Sequence, residues 1–484
     1  MKLGISCAAA LAAIAVAAPA AAPPQTTFAA AGEAATATLL SVDYAGGGLW
    51  RACDDAGCPA GNQDWGADSL TYALYLRWSL ARDGTIPPVM AALASTAAAY
   101  PPSCPLPGCQ SWSDVPQWDA IADAREYQVT GDPAALAKAK AAFGFALDSD
   151  AFALGACPDV RYQQPGGGSN RLKTLETEAN AIKAALLLAQ ATHDVTYLSF
   201  AEHRYAAVRA HFLDPAVPLY SVYVFDDGVR CTQLPHRFFA SVNGDMIWNG
   251  LELAHQTRQG RYRDQALATA RAIASDLADG HGVFADLQAE NDIVEPLVEA
   301  FGRLAVDDHL AFARTWILRN AAAALSARTE DGSYGRFFDG PPPAGTVTEW
   351  QTNGGLALEI VAAALDPSGT AAPGAWSHAR QSARTLGPTG RFRFTGSGIA
   401  ILGTIGEPCC EAGHARVLLD GRETFDETGI WQGKSSLGRR LPGSVLFAWR
   451  WPRAGIHTVA FAPGLTDPKE GGSFLHVRFV TVLP

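Results

Sequence analysis

Between about residues 65 and 365 the chain repeats one pattern: an apolar helix-length run, a short polar turn, then a second helix-length run with charges on one face. The clearest copies run Asp119–Val129 into Thr130-Gly131-Asp132 and Glu178–Ala191 into Thr192-His193-Asp194. Further copies run Asp245–His255 into Arg258-Gln259-Gly260, Ile293–Ala305 into Asp307-Asp308 and Asp68–Leu80 into Asp83-Gly84, with a last helix from about Gln351 to Leu365. A helix apolar around most of its circumference, such as the one containing Ala184-Ala185-Leu186-Leu187-Leu188-Ala189, needs cover on all sides, whereas one with a charged face needs it on one. The first helix of each copy is therefore expected inside and the second outside. Six inner helices spaced roughly 50 to 65 residues apart fit a closed (α/α)6 toroid better than an open solenoid, whose repeats usually run about 30 to 45 residues. An irregular helical bundle is the alternative.

The pattern changes after Asp366. Pro, Ser, Gly and Thr between Pro367 and Pro373 read as a linker, and short alternating runs follow, among them Arg391–Phe394, Ala415–Leu419, Val445–Trp451, His457–Ala462 and Phe474–Val482. Each is bounded by Gly or Pro, which predicts a small all-β sandwich. The expected domains are a helical one over 36–366, a linker over 367–374 and a β-sandwich accessory domain over 375–484. Trp431, Trp449 and Trp451 of the second domain are either a sugar platform or core.

Charge and cysteine usage narrow the ligand and the compartment. A net charge of −11 over 484 residues, without clustered Lys and Arg, excludes a phosphate backbone as partner. Lys2, an Ala-rich apolar run from about Leu3 to Ala18 and small residues at Ala20–Ala22 before Pro23 read as a secretory signal peptide over 1–22. No later run is long and apolar enough for a membrane span, so a secreted, monomeric protein is expected. Beyond Cys7 eight cysteines remain; Cys53/Cys58 and Cys104/Cys109 read as local disulfides, Cys157/Cys231 as a longer bridge, and Cys409 and Cys410 are adjacent. No metal site or cofactor is read, because no His-x-x-x-His or His-Glu-x-x-His helix accompanies the cysteines.

In a toroid of this kind the ligand cleft lies where the inner helices begin. Polar and aromatic residues at those positions are Trp65 and Asp68; Trp112, Ser113 and Asp114; Glu176, Glu178 and Asn180; Asn243 and Asp245; Glu290, Asp292 and Glu295; and Glu349, Trp350 and Gln351. Acids together with aromatics suit sugars, whose C–H faces stack on rings while their hydroxyls bond to carboxylates and amides. Asp and Asn at helix starts also cap free N–H groups, so each position carries a capping reading beside the functional one. Asp114, between Trp112 and Pro116, is the leading candidate for a presented carboxylate, with Trp118 as cleft wall or core.

Trp112-Ser113-Asp114 with Trp118 and Thr130-Gly131-Asp132 resembles the catalytic helix of the glycoside hydrolase family 76 α-1,6-mannanases. Glu178-Ala179-Asn180-Ala181-Ile182, Asn243-Gly244, Asn320-Ala321, Gly340-Pro341 and Gln351 follow in the same order, so the resemblance spans residues 45–365. It implies an (α/α)6 barrel and a retaining endo-mannanase with two neighbouring aspartates, the first a nucleophile and the second a general acid/base. The second role then falls on Asp114 and the first on Ser113; a register one residue later gives Asp114 the first role and Val115 the second. Only one carboxylate of the pair is present. Three routes remain open. In the first, Asp114 protonates the leaving oxygen while Asp68, Glu178, Asp245 or Asp292 activates water in an inverting reaction, which needs carboxyls about 6.5 to 9.5 Å apart. In the second, another carboxylate acts as nucleophile on a different glycan; in the third, the barrel binds a glycan without cutting it. The expectation taken forward is a secreted glycoside hydrolase acting on an α-linked glycan, α-1,6-mannan or a related mannose polysaccharide. Asp114 is its acid/base, with Ser113, Asp245 and Glu178 as further catalytic candidates. Trp65, Asp68, Trp112, Trp118, Asn180, Asn243 and Gln351 are expected to bind substrate.

Overall fold

The computed structural model describes residues 25–55, 57–58, 60–61, 65–96, 112–148, 152–168, 171–285, 293–371, 376, 379–386, 390–406, 414–423, 430–431, 437, 439–463 and 477–484. Twelve α-helices lie among them: α1 Phe28–Thr38, α2 Trp65–Ala81, α3 Ile86–Thr96, α4 Val115–Thr130, α5 Pro133–Asp148, α6 Leu175–Thr192, α7 Val195–Phe212, α8 Ala240–Thr257, α9 Gly260–Asp276, α10 Glu295–Val306, α11 Ala311–Ala324 and α12 Glu349–Leu365. The even-numbered helices pack side by side in sequence order and α12 returns to α2, which closes an inner ring; the odd-numbered helices cover it, α1 lying against α12. All six inner helices coincide with the apolar runs of the repeat.

The turns show why the repeat recurs. α4 and α6 end in left-handed residues, Gly131 (φ 75°) and His193 (φ 58°), whose N–H groups reach back to the Tyr127 and Ala189 carbonyls. The preceding Thr130 and Thr192 hydroxyls accept from the N–H groups of Asp132 (3.1 Å) and Asp194 (3.2 Å). Those aspartates in turn accept from Ala134 N and Thr196 N at 2.9 Å, starting the outer helix. One three-residue chemistry thus stops an inner helix and caps its outer partner. Each such hairpin is antiparallel, so all inner helices begin at the same end of the ring.

α6 illustrates the inner layer: every residue from Leu175 to Ala189 except Glu176 is buried. Gly244 lets α8 approach α10, because a Cβ there would lie 2.3 Å from Leu297 N. At the end where the inner helices begin, strands Leu172–Thr174, Ser221–Asp226 and Cys231–Phe238 form an antiparallel sheet, pinned by the Cys157–Cys231 disulfide. Cys53 is bonded to Cys58. The ring begins earlier than residue 36, since α1 starts at Phe28, and the segment read as a linker holds Thr370–Ala371 paired with Thr26–Thr27. Residues 1–22, read as a signal peptide, and the cysteines at 104, 109, 409 and 410 lie outside the described residues.

An all-β domain follows. Its described strands join one antiparallel sheet dominated by Arg391–Ile405 and Leu441–Pro463, with register shifts at Gly396/Gly398, Ile401/Leu402 and Gly403/Thr404. Trp451 is buried in this domain's core with Phe394, donates its indole N–H to Asp420 Oδ2 (3.0 Å) and stacks on His457 (4.2 Å). Trp449 packs along Phe447, so both tryptophans belong to the packing of the sheet. The domain is fastened to the ring by Arg450, whose guanidinium bonds Asp339 at 2.8 Å and whose carbonyl accepts from Gly280 N at 2.9 Å.

Candidate active site

Asp114 occupies the N-cap position of α4 without capping it. Its carbonyl accepts from Gln117 N (2.8 Å) and Trp118 N (2.9 Å), while its side chain makes no capping bond. Pro116 in the first turn has no N–H to satisfy. Asp114 is half-buried, two residues after the exposed Trp112, and the Trp118 side chain one turn along the helix favours its charged form. Burial pushes its pKa up to about 6, against the opposing pull of its own backbone N–H and of Trp118. A carboxyl that holds its proton up to about pH 6 has the protonation a general acid needs.

Behind it a chain of polar contacts runs into the wall of the ring. With the Asn180 amide turned to satisfy both neighbours, its oxygen accepts from Trp118 Nε1 at 3.1 Å and its nitrogen donates to Asp245 Oδ2 at 3.0 Å. Asp245 Oδ1 takes a hydrogen bond from Lys183 Nζ at 2.7 Å, and the same ammonium donates to Glu299 Oε2 at 2.6 Å. Glu299 is paired in turn with Arg125. Asp245 and Lys183 are wholly buried. Aromatic faces enclose the cations: Lys183 lies 4.3 Å from the Tyr72 ring centroid and 5.0 Å from that of Trp248, and Arg125 lies 3.8 Å from that of Tyr75. Burial raises the Asp245 pKa in opposition to Lys183, whereas Arg125 and Lys183 outweigh burial at Glu299 and hold it below its ordinary value. This network connects four inner helices, α4, α6, α8 and α10, and closes one side of the site with fixed charges.

The remaining candidates separate from Asp114. Ser113 is fully buried; its hydroxyl donates to the Tyr162 carbonyl at 3.0 Å and meets the Thr177 hydroxyl at 2.8 Å. It is a tie between the α4 entrance and α6. Glu178 is also sealed from solvent, its Oε1 accepting from Arg161 N at 2.9 Å and its carboxylate flanked by the Arg161 and Arg204 guanidinium groups, each at 3.7 Å. Asp245 and Glu178 therefore do not face the cleft as catalytic bases: both are buried and neutralised by cations. Asn243 bonds the backbone N–H and carbonyl of Tyr220 at 2.9 and 3.0 Å and fixes the hairpin to α8. Gln351 forms a capping box with Thr348 at the start of α12. Trp118 is core-like, 2% exposed and edge-on to Tyr72. Asp68 lies half-buried in the first turn of α2, the inner helix beside α4. Trp65 starts α2, but its side chain is not among those described; Glu290 and Asp292 lie outside the described residues. Glu295 starts α10 fully buried, with burial pushing its pKa up to about 8.

Sequence reasoning missed Lys183, Arg125 and Glu299. The available signal was a charged residue within an inner helix that is apolar around its whole circumference, since such a charge persists only when paired.

No family model and no curated protein sequence matches the chain. Solved structures do. The α-1,6-mannanase of Salegentibacter sp. superposes with a TM-score of 0.59 at 19% identity, covering 70% of this chain and 100% of that one. A variant of that enzyme with two adjacent aspartates replaced by asparagine, described as inactive and bound to α-1,6-mannotriose, gives 0.58 at 18% identity over 70% of this chain and 100% of its own. Dfg5 from Chaetomium thermophilum, in complex with glucosamine, gives 0.55 at 13% identity, covering 70% of this chain and 89% of that one. The ring of twelve helices has the fold of the family 76 glycoside hydrolases.

Proposed function

We propose that this protein is an exported glycoside hydrolase that cleaves an α-linked, mannose-containing glycan, with Asp114 as the proton donor to the leaving oxygen. The observation that carries the reading is Asp114 itself: it is half-buried at the start of an inner helix, its side chain is not spent on capping, and burial pushes its pKa up to about 6. The solved neighbours that bind α-1,6-mannotriose and α-1,6-mannotetraose supply the substrate class.

Ser113, held in two buried hydrogen bonds, is no nucleophile, which leaves one carboxylate of the neighbouring pair and favours inversion over the retaining route of a paired-aspartate site. Asp68, half-buried on the neighbouring α2, is the carboxylate that activates water, because Glu178 and Asp245 are sealed against cations. The exposed Trp112 stacks on a sugar ring. The β domain is an accessory module of the sandwich type, with Phe394, Ile399 and Phe447 in its core. The test is digestion of a glycan panel containing α-1,6-mannan by the purified protein, with product anomers followed by NMR. Reducing ends released with inverted configuration support the reading, and Asp114→Asn and Asp68→Asn are each expected to lower the rate by about a hundredfold or more. Release with retention overturns the assignment of Asp68.

The locked Ser113 favours one other reading, a glycan-binding barrel without turnover. Binding of a glycan that survives Asp114→Asn, with no cleavage across the panel, selects it.

A further inference from the structure

Lys173 and Asp226 form a wholly buried ion pair that also grips the backbone beside it. The Lys173 ammonium donates to Asp226 Oδ2 (2.9 Å), to the Cys157 carbonyl (3.2 Å) and to the Val160 carbonyl, which uses all three of its N–H bonds. Asp226 accepts in addition from the backbone N–H groups of Ala156 (3.0 Å) and Gly228 (2.8 Å) on one oxygen and of Cys157 (2.9 Å) on the other. Residues 156–160 are thus held from their N–H and their carbonyl sides, and the Cys157–Cys231 disulfide ties the same segment to the hairpin. Two residues further on, the chain meets the entrance of α4. The Tyr162 carbonyl takes the Ser113 hydroxyl at 3.0 Å and the Gln163 carbonyl takes the Ser113 N–H at 2.9 Å. Ser113 immediately precedes Asp114, whose side chain makes no capping bond, so the backbone entering α4 sets where that carboxyl points.

We propose that Lys173 and Asp226 are positioning residues for Asp114: they hold segment 156–163 in the shape that turns the carbonyls of Tyr162 and Gln163 onto Ser113, and so fix the start of α4. A buried ion pair adds little net stability once the desolvation of both charges is counted; what it can add is a single conformation. The stretch between the pair and Ser113 is short and tethered, with Arg161 N donating to Glu178 Oε1 (2.9 Å) and Gln163 N to the Leu172 carbonyl (3.2 Å), so a shift at Val160 passes along it to Ser113. Removing the ammonium strands the Cys157 and Val160 carbonyls, while Asp226 keeps its three backbone donors. The inference rests on the reading of Asp114 as proton donor, and its first measurement needs no turnover.

Lys173→Met in the full protein tests it by two readouts. Hydrogen exchange followed by mass spectrometry, on fragments that contain Ser113, is expected to show the Ser113 amide exchanging about tenfold faster or more, with fragments of α10 unchanged, which separates local loosening from global opening. Kinetics on α-1,6-mannan, measured well below the melting temperature of the variant, are expected to show kcat lower by roughly tenfold to a hundredfold with KM within about twofold, the loss that follows when a reacting group is misplaced but substrate is still bound. A pair that only stabilised the fold would lower Tm and leave kcat of the folded variant intact. Lys173→Gln, whose amide still donates to one of the two carbonyls, is expected to shift both readouts the same way by less and serves where the methionine variant does not fold. A folded variant whose Ser113 amide exchanges as in the wild type overturns the proposal. If exchange responds but the wild type cuts no glycan, the hydrolase reading fails and the brace on Ser113 stands. If the wild type cuts glycan and the variant keeps its kcat, the positioning role fails alone.

Discussion

The hydroxyl oxygens of Ser113 and Thr177 lie 2.8 Å apart, and the Ser113 hydroxyl also donates to the Tyr162 carbonyl. Because Ser113 is fully buried, a carboxylate in its place faces a carbonyl oxygen with only the Thr177 hydroxyl to donate. Ser113→Asp is therefore expected to destabilise the fold by roughly 3 kcal/mol or more, the cost of an uncompensated buried charge, and to gain no activity on mannan. Urea unfolding with a mannan digestion alongside checks this; a stable and active Ser113→Asp protein contradicts it.

Asp114 couples stability to pH in a calculable direction. Its folded pKa near 6 stands above the 3.8 of a free aspartate, so the folded state binds the proton more tightly. Its contribution is fully favourable below about pH 4 and is lost as pH rises through about 6. Asp114→Asn, which also gives up no helix cap, is expected to stabilise the protein at pH 7.5 by roughly 1 to 2 kcal/mol while abolishing turnover. Wild-type activity is expected to decline above pH 6 as the acid ionises. Melting curves at pH 4.5 and pH 7.5 test the stability claim; a destabilised Asp114→Asn at pH 7.5 refutes it.

The inner ring was legible because its signal is local. An apolar run such as Ala184–Ala189 and a Thr-x-Asp turn state where a helix lies and where it stops, without reference to the rest of the chain. α1 was not legible: it is an alanine-rich helix following an alanine-rich stretch of sequence, and only its packing on α12, over 300 residues away, makes it an outer helix of the ring. The site divided in the same way. Asp114 was proposed from its neighbours in sequence, whereas the surroundings of Glu178 and Asp245 depend on cations brought by other segments, Arg204 and Lys183, and no spacing encodes those distances. Ser113 was read as the departure from a paired-aspartate pattern. That it ties α4 to Tyr162 and Thr177 is a tertiary fact.

Lys183 neutralises two carboxylates at once, so its removal leaves Asp245 with the Asn180 amide and a distant Tyr72 hydroxyl. Lys183→Met is expected to cost about 3 to 5 kcal/mol, the usual penalty for breaking a buried pair from one side. Adding Asp245→Asn is expected to recover part of that loss, since the remaining Glu299 keeps Arg125. A double-mutant cycle in urea measures the coupling. If Lys183→Met costs less than about 1 kcal/mol, the network contributes little to the ring.

A second carboxylate pair governs the seam between the domains. Asp279 accepts from His281 N (2.8 Å) and Val283 N (3.1 Å), beside Asp339, which receives the Arg450 guanidinium of the β domain. Burial, and then the Asp339 charge, push the Asp279 pKa up to about 8. The raised value means that the folded state holds this proton from pH 4 to nearly pH 8, so its contribution to stability is lost as pH rises through 8 and the two carboxylates repel. Asn at 279 can still accept from both N–H groups and carries no charge. Asp279→Asn is therefore expected to flatten the fall in Tm between pH 7 and pH 9 and to stabilise the protein at pH 9 by roughly 2 kcal/mol. Differential scanning calorimetry across that range decides it: equal pH slopes for wild type and variant would place the titrating group elsewhere.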